Sequence, residues 1–467
     1  MEIREFIEKV RKNEIDIVGH TEKVIEECKE INKEYDYFNT ISEVLALEQA
    51  KQIKKLVKNK DKNIKNKRLL GVAISVKDSI CVKDVESTAG SRILRGYRPL
   101  FNATVIEKII KEGGIIIGKT SQDEFGFGSF SVNVGVDFKV PKNPIDKERS
   151  CGGSSGGAAG ITKKVSFPHI ALGESTGGSI AEPASFCDVF GLCPTYGRNS
   201  RYGLIDFGNS LDKIGPIGKT CYETALLQEV IAGHDANDST SLNVKNENYE
   251  KYLKKSIKGM KIGIIKEAFA EGVEREVEKN VYNGIEEFKE EGAKVEEISM
   301  ELAIKYGLAT YYMIATSEAS TNLAKYCGMR YGIAEKLEGS FNEYFTKVRS
   351  NNFGDEAKRR IILGTFARMA GYRDAFYLKE YKKAFKKFDA LVSPTVPILP
   401  PKFSEIEKLT PLQNYLTDVM LVAPNVAGLP HLSVPVGYEK NLPVGMLLVG
   451  DHLQEGKLLQ LGSAIEV

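Results

Sequence analysis

Two runs of serine and glycine, CGGSSGGAAG at Cys151–Gly160 and GESTGGSI at Gly173–Ile180, hold the residue types that acyl-transfer chemistry needs. Glycine has no Cβ, so its backbone N–H can come close to a reacting centre. Amides aimed in advance at developing charge make an oxyanion hole, and a hydroxyl among them is placed to be a nucleophile. If Ser179 attacks a carbonyl, a base must take its proton. The five histidines (His20, His169, His234, His431 and His452) are scattered and form no recognisable triad. Lys77 is the candidate base. It ends the apolar run of GVAISVKDSI, where its amine would leave a dry strand end and enter a site. Burial disfavours the ammonium form, and nearby donors would do the same, as a lysine that must accept a proton near neutrality requires.

Other chemistries fit these residues less well. A phosphate-cradling loop needs G-x-x-x-x-G-K-[ST], and no lysine–hydroxyl pair follows GGSSGGAAG. The elbow pattern G-x-S-x-G occurs at GGSSG, GSSGG and GESTG, as it readily does in any serine–glycine run. That mechanism also needs a downstream acid and histidine, and His234, His431 and His452 have no such context. Cys151 opens the first run without a histidine partner, and so reads as a small buried residue rather than a nucleophile.

Secondary structure must bring these residues together. IREFIEKV and TEKVIEECKEI have apolar positions three and four apart, so residues 1–60 read as a helical segment, with Thr21 as an N-cap of the second helix. Residues 51–68 hold nine Lys/Arg against one acid. Without interleaved aromatics, that stripe reads as a solvated helix end and linker rather than an RNA surface. From Leu69 the pattern changes: LLGVAISVKD, GGIIIGKTSQ, FPHIALGEST and KIGIIKEA read as buried strands, and VIEKIIKEGG as a helix between the first two. Residues 275–390 are strongly helical, and strands return at DALVSPTVPILPP, HLSVPVGYE and PVGMLLVGD. The 467 residues correspond to about three domains at roughly 150 each. Strands at both ends of a helical middle point instead to one α/β unit, 1–467. In this reading the sheet core with the catalytic residues spans 61–270, helices lining the pocket span 275–390, and the return to the sheet spans 391–467.

Composition narrows the function further. Sixty-five Lys+Arg against 63 Asp+Glu give a net charge of +2, which calls for no nucleic-acid partner. No apolar run is long enough to span a bilayer, and the charged N-terminus lacks a signal-peptide core. Seven dispersed cysteines without a C-x-x-C pair indicate neither a metal site nor a disulfide framework, in keeping with a reducing cytoplasm.

The order strand–Lys77, GGSSGG, TGGSI resembles the amidase signature family, whose Ser–Ser–Lys triad uses no histidine. The resemblance implies a large mixed β-sheet flanked by helices on both faces, with N-terminal helices and a helical insertion. It makes Ser179 the nucleophile, Ser154 the bridging serine after a cis peptide bond, and Lys77 the base. The backbone amides of Thr176, Gly177, Gly178 and Ser179 would form the oxyanion hole. Neutral Lys77 would then draw a proton through Ser154 as Ser179 attacks an amide, return it to the departing amine, and activate the water that cleaves the acyl ester.

Within the family, FCDVFGLCPTYGRNSRYGLIDFGNSLDKIGPIGKT (186–220), DSTSLN (238–243), YYMIATSEASTNLAKYCGMRYG (311–332) and FGDEAKRRIILGTF (353–366) resemble the glutaminase A subunits of tRNA-dependent amidotransferases. That resemblance implies a glutamine pocket. Arg360, or its neighbour Arg359, would fork the α-carboxylate, Asp418 would hold the α-ammonium, and Tyr311, Gly128 and Ser129 would line the pocket. It also implies a heterotrimer. This chain would release ammonia from glutamine, a B subunit would phosphorylate the aminoacylated tRNA with ATP and magnesium, and a small C subunit would wrap the pair. No cofactor or metal is expected in this chain. A stand-alone amide hydrolase and an inactive scaffold are the alternatives. Four departures stand beside the match: Cys151 where Pro is usual, Ser175 for Asp with Glu174 ahead of it, Ala181–Glu182 for Arg–Gln, and one extra residue between the clusters. Ser175 and Ala181 cannot form the ion pair that commonly braces the catalytic loop, which predicts slower or partner-dependent glutaminase activity.

Overall fold

The computed structural model describes residues 1–270, 272–370 and 377–466. Among the described residues, eleven strands form one sheet. In chain order they are β1 (Phe38–Ile41), β2 (Ala73–Lys77), β3 (Ile115–Thr120), β4 (His169–Ser175), β5 (Phe190–Cys193), β6 (Lys213–Gly218), β7 (Lys261–Ile265), β8 (Lys294–Ile298), β9 (Ala390–Pro394), β10 (His431–Glu439) and β11 (Leu442–Val449). Across the sheet the order is β1-β3-β2-β4-β6-β5-β10-β11-β9-β7-β8. The sheet is mixed: β2 runs parallel to β3 and β4, and β7 parallel to β8 and β9, whereas β4–β6 and β10–β11 are antiparallel.

Helices cover both faces, and the pleat shows why. Successive strand residues point to opposite sides. Leu447 and Val449 of β11 pack with Ala181 and Phe186 of the helix Ala181–Phe186. Met446 and Leu448 pack instead with Val281 and Ile285 of Arg275–Glu290 and with Leu458 of Glu455–Ala464. Being buried on both sides, β2, β3 and β4 need the near-continuous apolar runs read from the sequence. The anticipated α/β architecture is thus observed, with the late strands β9–β11 filling the gap between β5 and β7.

Three local expectations fail. β1 lies within the segment read as wholly helical, where its FNTI pairs antiparallel with β3 as the edge strand. β8 lies within the helical middle; KVEEI has no buried residue, and its strand state comes from pairing with β7 rather than from an apolar run. Thr21 is not an N-cap: that helix starts at Ile17 after Asp16, and the buried Thr21 hydroxyl donates to Ile17 O at 2.7 Å inside it.

Beside the sheet, Glu301–Asn322 packs against Asp355–Ala370 and against Val419–Val426. The first two helices cross closely. A Cβ at Gly364 would lie 1.8 Å from Thr316 O, so only glycine permits the crossing. This crossing brings Tyr311, Arg360 and Asp418, far apart in sequence, to one side of the strand ends.

Candidate active site

β2 and β4 end side by side, with Val76 paired to Leu172, so Lys77 and Glu174 emerge at the same end of the sheet. The Lys77 side chain is fully buried. Its Nζ lies 2.7 Å from Ser154 Oγ, 2.8 Å from the carbonyl oxygen of Glu174 and 2.9 Å from Glu174 Oε2. The Gly153–Ser154 peptide bond is cis. Ser155 N–H donates to Ser179 O at 3.2 Å, tying the first serine–glycine run to the second. Ser179 retains 6% of its surface, and its hydroxyl has no hydrogen-bond partner among the described residues. Burial of the lysine is as anticipated, but its neighbours are not. The sequence suggested donors around the amine, whereas Glu174 supplies two acceptors, one of them a carboxylate.

The loop bearing Ser179 is held from behind and bare in front. Thr176 Oγ1 lies 3.0 Å from Glu174 Oε1 and 2.8 Å from Asp212 Oδ1. Ser175 Oγ donates to Gly177 O at 2.9 Å, and the Asn425 amide donates to Thr176 O. Among the described residues, the N–H groups of Thr176, Gly177, Gly178 and Ser179 donate to no protein acceptor, which leaves them free for an anionic oxygen. A Cβ at Gly177 would lie 3.0 Å from the Tyr311 ring, and one at Gly178 would lie 2.5 Å from Leu421 Cδ1 and 2.8 Å from Asp418 Oδ1. Ala181 is buried among apolar residues. Hydroxyls, Glu174 and Asp212 thus brace the loop where an Asp–Arg pair is absent.

The pocket side is charged. Arg360 is 3% exposed and ringed by Phe127, Phe207, Tyr312 and Tyr415, with its guanidinium carbon 5.2–5.8 Å from their centroids. Its Nε donates to Glu356 Oε1 at 2.7 Å, while its two terminal NH2 groups have no acceptor among the described residues. Burial opposes its charge, but Tyr312 and Glu356 outweigh burial and raise its pKa, so it stays a cation. Arg359 is more exposed and spends both Nε and Nη2 on Glu356, which favours Arg360 as the fork. Gly128, Ser129, Arg359 and Arg360 line one cleft with Glu356 and Tyr415.

Asp418 is buried and accepts from Ser129 Oγ at 2.7 Å. Burial raises its pKa against the opposing effects of Ser129 and Arg360. Glu182 is a second buried carboxyl beside it. Burial, then the neighbouring Asp418, to which a protonated Glu182 would donate, pushes its pKa well up. Asp123 accepts from Asn133 N–H at 2.8 Å and Ser131 N–H at 3.1 Å, and burial pushes its pKa up to about 6.

The structure therefore brings Lys77, Ser154, Ser179, Tyr311, Ser129, Gly128, Arg360 and Asp418 into one region. It keeps the histidines out: His169 is bonded to Ser75 Oγ at the far end of β4, its pKa lowered by burial to about 3. Cys151 is a buried thiol, pushed well above its ordinary pKa by burial. Sequence reasoning missed Asp123, Asp212, Glu356, Tyr312, Tyr415 and Asn425. It noticed Glu174 and Glu182 only as departures from a pattern.

A buried lysine bonded to Ser154, bare amides beside Ser179, and a buried arginine and aspartate nearby suit cleavage of an amide that carries both charges. Known proteins agree with this chemistry. The model of the family described as Amidase matches residues 20–459. The chain belongs to the amidase family. Among amidase relatives, the A subunit of the glutamyl-tRNA(Gln) amidotransferase of Thermoanaerobacter pseudethanolicus is 42% identical over 475 residues, covering 99% of this chain and 95% of that one. The corresponding A subunit of Halothermothrix orenii is 45% identical over 415 residues, covering 86% of each. The crystal structure of the A subunit from Thermotoga maritima superposes with a TM-score of 0.77 at 32% identity, covering 100% of this chain and 94% of that one. A bacterial aryl acylamidase of the amidase signature enzymes shares the fold, with a TM-score of 0.81 at 22% identity. Among the described residues, no helix of this amidase is long and apolar enough to cross a membrane.

Proposed function

We propose that this amidase is the glutaminase subunit of a tRNA-dependent amidotransferase. The observation that carries the reading is the pair of charged groups beside the nucleophile loop: Arg360, with two unengaged NH2 groups, and Asp418. A small aliphatic or aryl amide has no use for either. Free glutamine has a carboxylate for the first and an ammonium for the second. Relatives named as the A subunit of glutamyl-tRNA(Gln) amidotransferase, 42–45% identical to this chain, support the same substrate.

In this mechanism Lys77 accepts the Ser154 proton as Ser154 takes that of Ser179. Ser179 Oγ bonds to the glutamine amide carbon, and the oxyanion is received by the amides of Thr176, Gly177, Gly178 and Ser179. The relayed proton passes to the nitrogen, the C–N bond breaks and ammonia leaves. Water, deprotonated by the same relay, cleaves the acyl ester to glutamate and frees Ser179. The ammonia serves a cytoplasmic complex in which a B subunit holds aminoacylated tRNA, ATP and magnesium, and a C subunit completes a heterotrimer. The residues 1–467 act in it as a single amidase domain.

The test is hydrolysis of glutamine by the purified chain, alone and with B and C subunits, with aminoacyl-tRNA and ATP present or absent. We expect glutamate release that Ser179→Ala reduces at least about 10⁴-fold, and amidation of the tRNA only in the complex. A chain that cleaves acetamide and ignores glutamine in every combination would overturn the reading. The altered bracing at Ser175 and Ala181 leads us to expect slower single turnovers when the B subunit is left out.

A further inference from the structure

The Lys77 amine has three neighbours besides its own Cε: Ser154 Oγ, the Glu174 carbonyl oxygen and Glu174 Oε2, all within 2.7–2.9 Å. A neutral amine has two N–H donors and one lone pair. A carbonyl oxygen and an ionised carboxylate only accept. In the neutral form that the proposed relay requires, both N–H groups go to Glu174 and the lone pair is left facing Ser154. We propose that Glu174 is a positioning residue of the relay, one that aims the Lys77 lone pair at Ser154 and whose carboxylate stabilises the ammonium formed as Ser179 attacks. Its role resembles that of the buried aspartate behind the histidine of a Ser–His–Asp triad, which orients the base and steadies its cation without taking the proton. The inference rests on the relay proposed above but adds a fourth member to it.

Asp212 supports Glu174 from behind through a shared hydroxyl. Thr176 Oγ1 reaches both Glu174 and Asp212, yet a hydroxyl has one proton to give. The second contact requires a proton on one of the two carboxyls. Burial, then the neighbouring Glu174, pushes the pKa of Asp212 well up, so Asp212 holds that proton. The chain then runs in one direction, with Asp212 donating to Thr176, Thr176 to Glu174, and Lys77 also to Glu174. The other titratable groups whose charges are felt here are Asp123 towards Lys77, and Cys193 and Tyr311 towards Glu174. None of them replaces the contact at 2.9 Å.

The experiment compares wild type, Glu174→Gln and Glu174→Asp in two assays across pH. One is kcat/KM for glutamine. The other is the rate at which phenylmethylsulfonyl fluoride labels Ser179, where the Oγ–S bond forms, fluoride leaves and the serine proton passes to Lys77. The second assay needs only the relay, so it remains readable if glutamine proves not to be the substrate. We expect Glu174→Gln to lower both rates about 10- to 100-fold near neutrality. We also expect the acidic limb of both profiles to move to lower pH by about one unit or more, because the anion that favours the ammonium is gone. Glu174→Asp keeps the charge a methylene farther away, so its limb stays in place while its rate falls. A loss that is uniform across pH, with an unmoved limb, would reduce Glu174 to a packing role and overturn the proposal, as would wild-type rates in Glu174→Gln. Should the glutamine variant fail to fold, wild-type rates in Glu174→Asp overturn the positioning role by themselves.

Discussion

The two halves of the site are built on opposite principles. On the relay side, Lys77, Ser154, Glu174, Thr176 and Asp212 are locked to one another at 2.7–3.0 Å, and the loop behind Ser179 is tied down by Ser175 and Asn425. On the pocket side, Arg360 keeps two NH2 groups unengaged among the described residues. A relay must hold its geometry before substrate arrives, because proton transfer needs reacting atoms in line. A pocket for a zwitterion must leave charges unsatisfied, because engaged groups would compete with the ligand. The base and its supports are saturated, whereas the groups that would meet substrate, the Ser179 hydroxyl and the bare amides among them, are left open.

The sharpest way to break this division is at the place where the halves touch. A methyl group at Gly178 would lie 2.5 Å from Leu421 Cδ1 and 2.8 Å from Asp418 Oδ1, so the Ser179 loop and Asp418 cannot both stay where they are. Gly178→Ala is expected to lower kcat by about 10²–10³, the usual cost of a misplaced oxyanion donor, and to raise KM for glutamine as well. Steady-state kinetics on the variant check this. A loss confined to KM would mean that the loop yields nothing and the pocket everything.

Arg360→Met separates the halves. It removes the proposed carboxylate fork and leaves Lys77, Ser154 and Glu174 in place. The lost charged hydrogen bonds are worth about 1.5–3 kcal/mol, or roughly 10- to 100-fold in KM. Labelling of Ser179 by a sulfonyl fluoride should continue at the wild-type rate, since Arg360 contributes nothing to the proton path. If labelling slowed in parallel with glutamine hydrolysis, the arginine would be supporting the loop rather than reading the substrate.

The same division governs what the sequence could disclose. Lys77, Ser154 and Ser179 lie on strand ends and two serine–glycine runs whose local pattern is distinctive, so the sequence together with the family resemblance could single them out, whereas Asp212 lies beyond that stretch and was missed. Glu174 was visible but its direction was not. Only the pairing of β2 with β4 reveals that its side chain and carbonyl meet the lysine. The pocket is assembled by packing of Glu301–Asn322, Asp355–Ala370 and Val419–Val426, contacts that no local period encodes. Arg360, Tyr311 and Asp418 were reached through family resemblance alone, whereas Tyr312, Glu356 and Tyr415, which surround the arginine, carried no signal of their own. β8 was missed for a related reason, since KVEEI is a strand because β7 lies beside it.

The smallest expected effect tests the buried carboxyl beside Asp418 without disturbing chemistry. Burial and the adjacent Asp418 hold the Glu182 carboxyl well above its ordinary 4.5, so the folded protein prefers it protonated. A group whose pKa is raised by folding contributes its full stability below the unfolded value. That contribution is lost as pH rises towards the folded one, because the unfolded chain then releases a proton that the folded chain retains. Glu182→Gln keeps the shape and the neutral state at every pH. Wild type and variant should therefore unfold at the same temperature near pH 4, and the variant should gain on wild type steadily from about pH 5 upward. At roughly 1–2 °C per kcal/mol for a chain of this length, the gap near pH 8 should reach one to a few degrees, measured by calorimetry. Asp123, with its pKa near 6, and Asp212 titrate in the same direction but are present in both proteins, so the difference isolates Glu182. A gap that fails to open with rising pH would mean that Glu182 is ionised and compensated in the folded state.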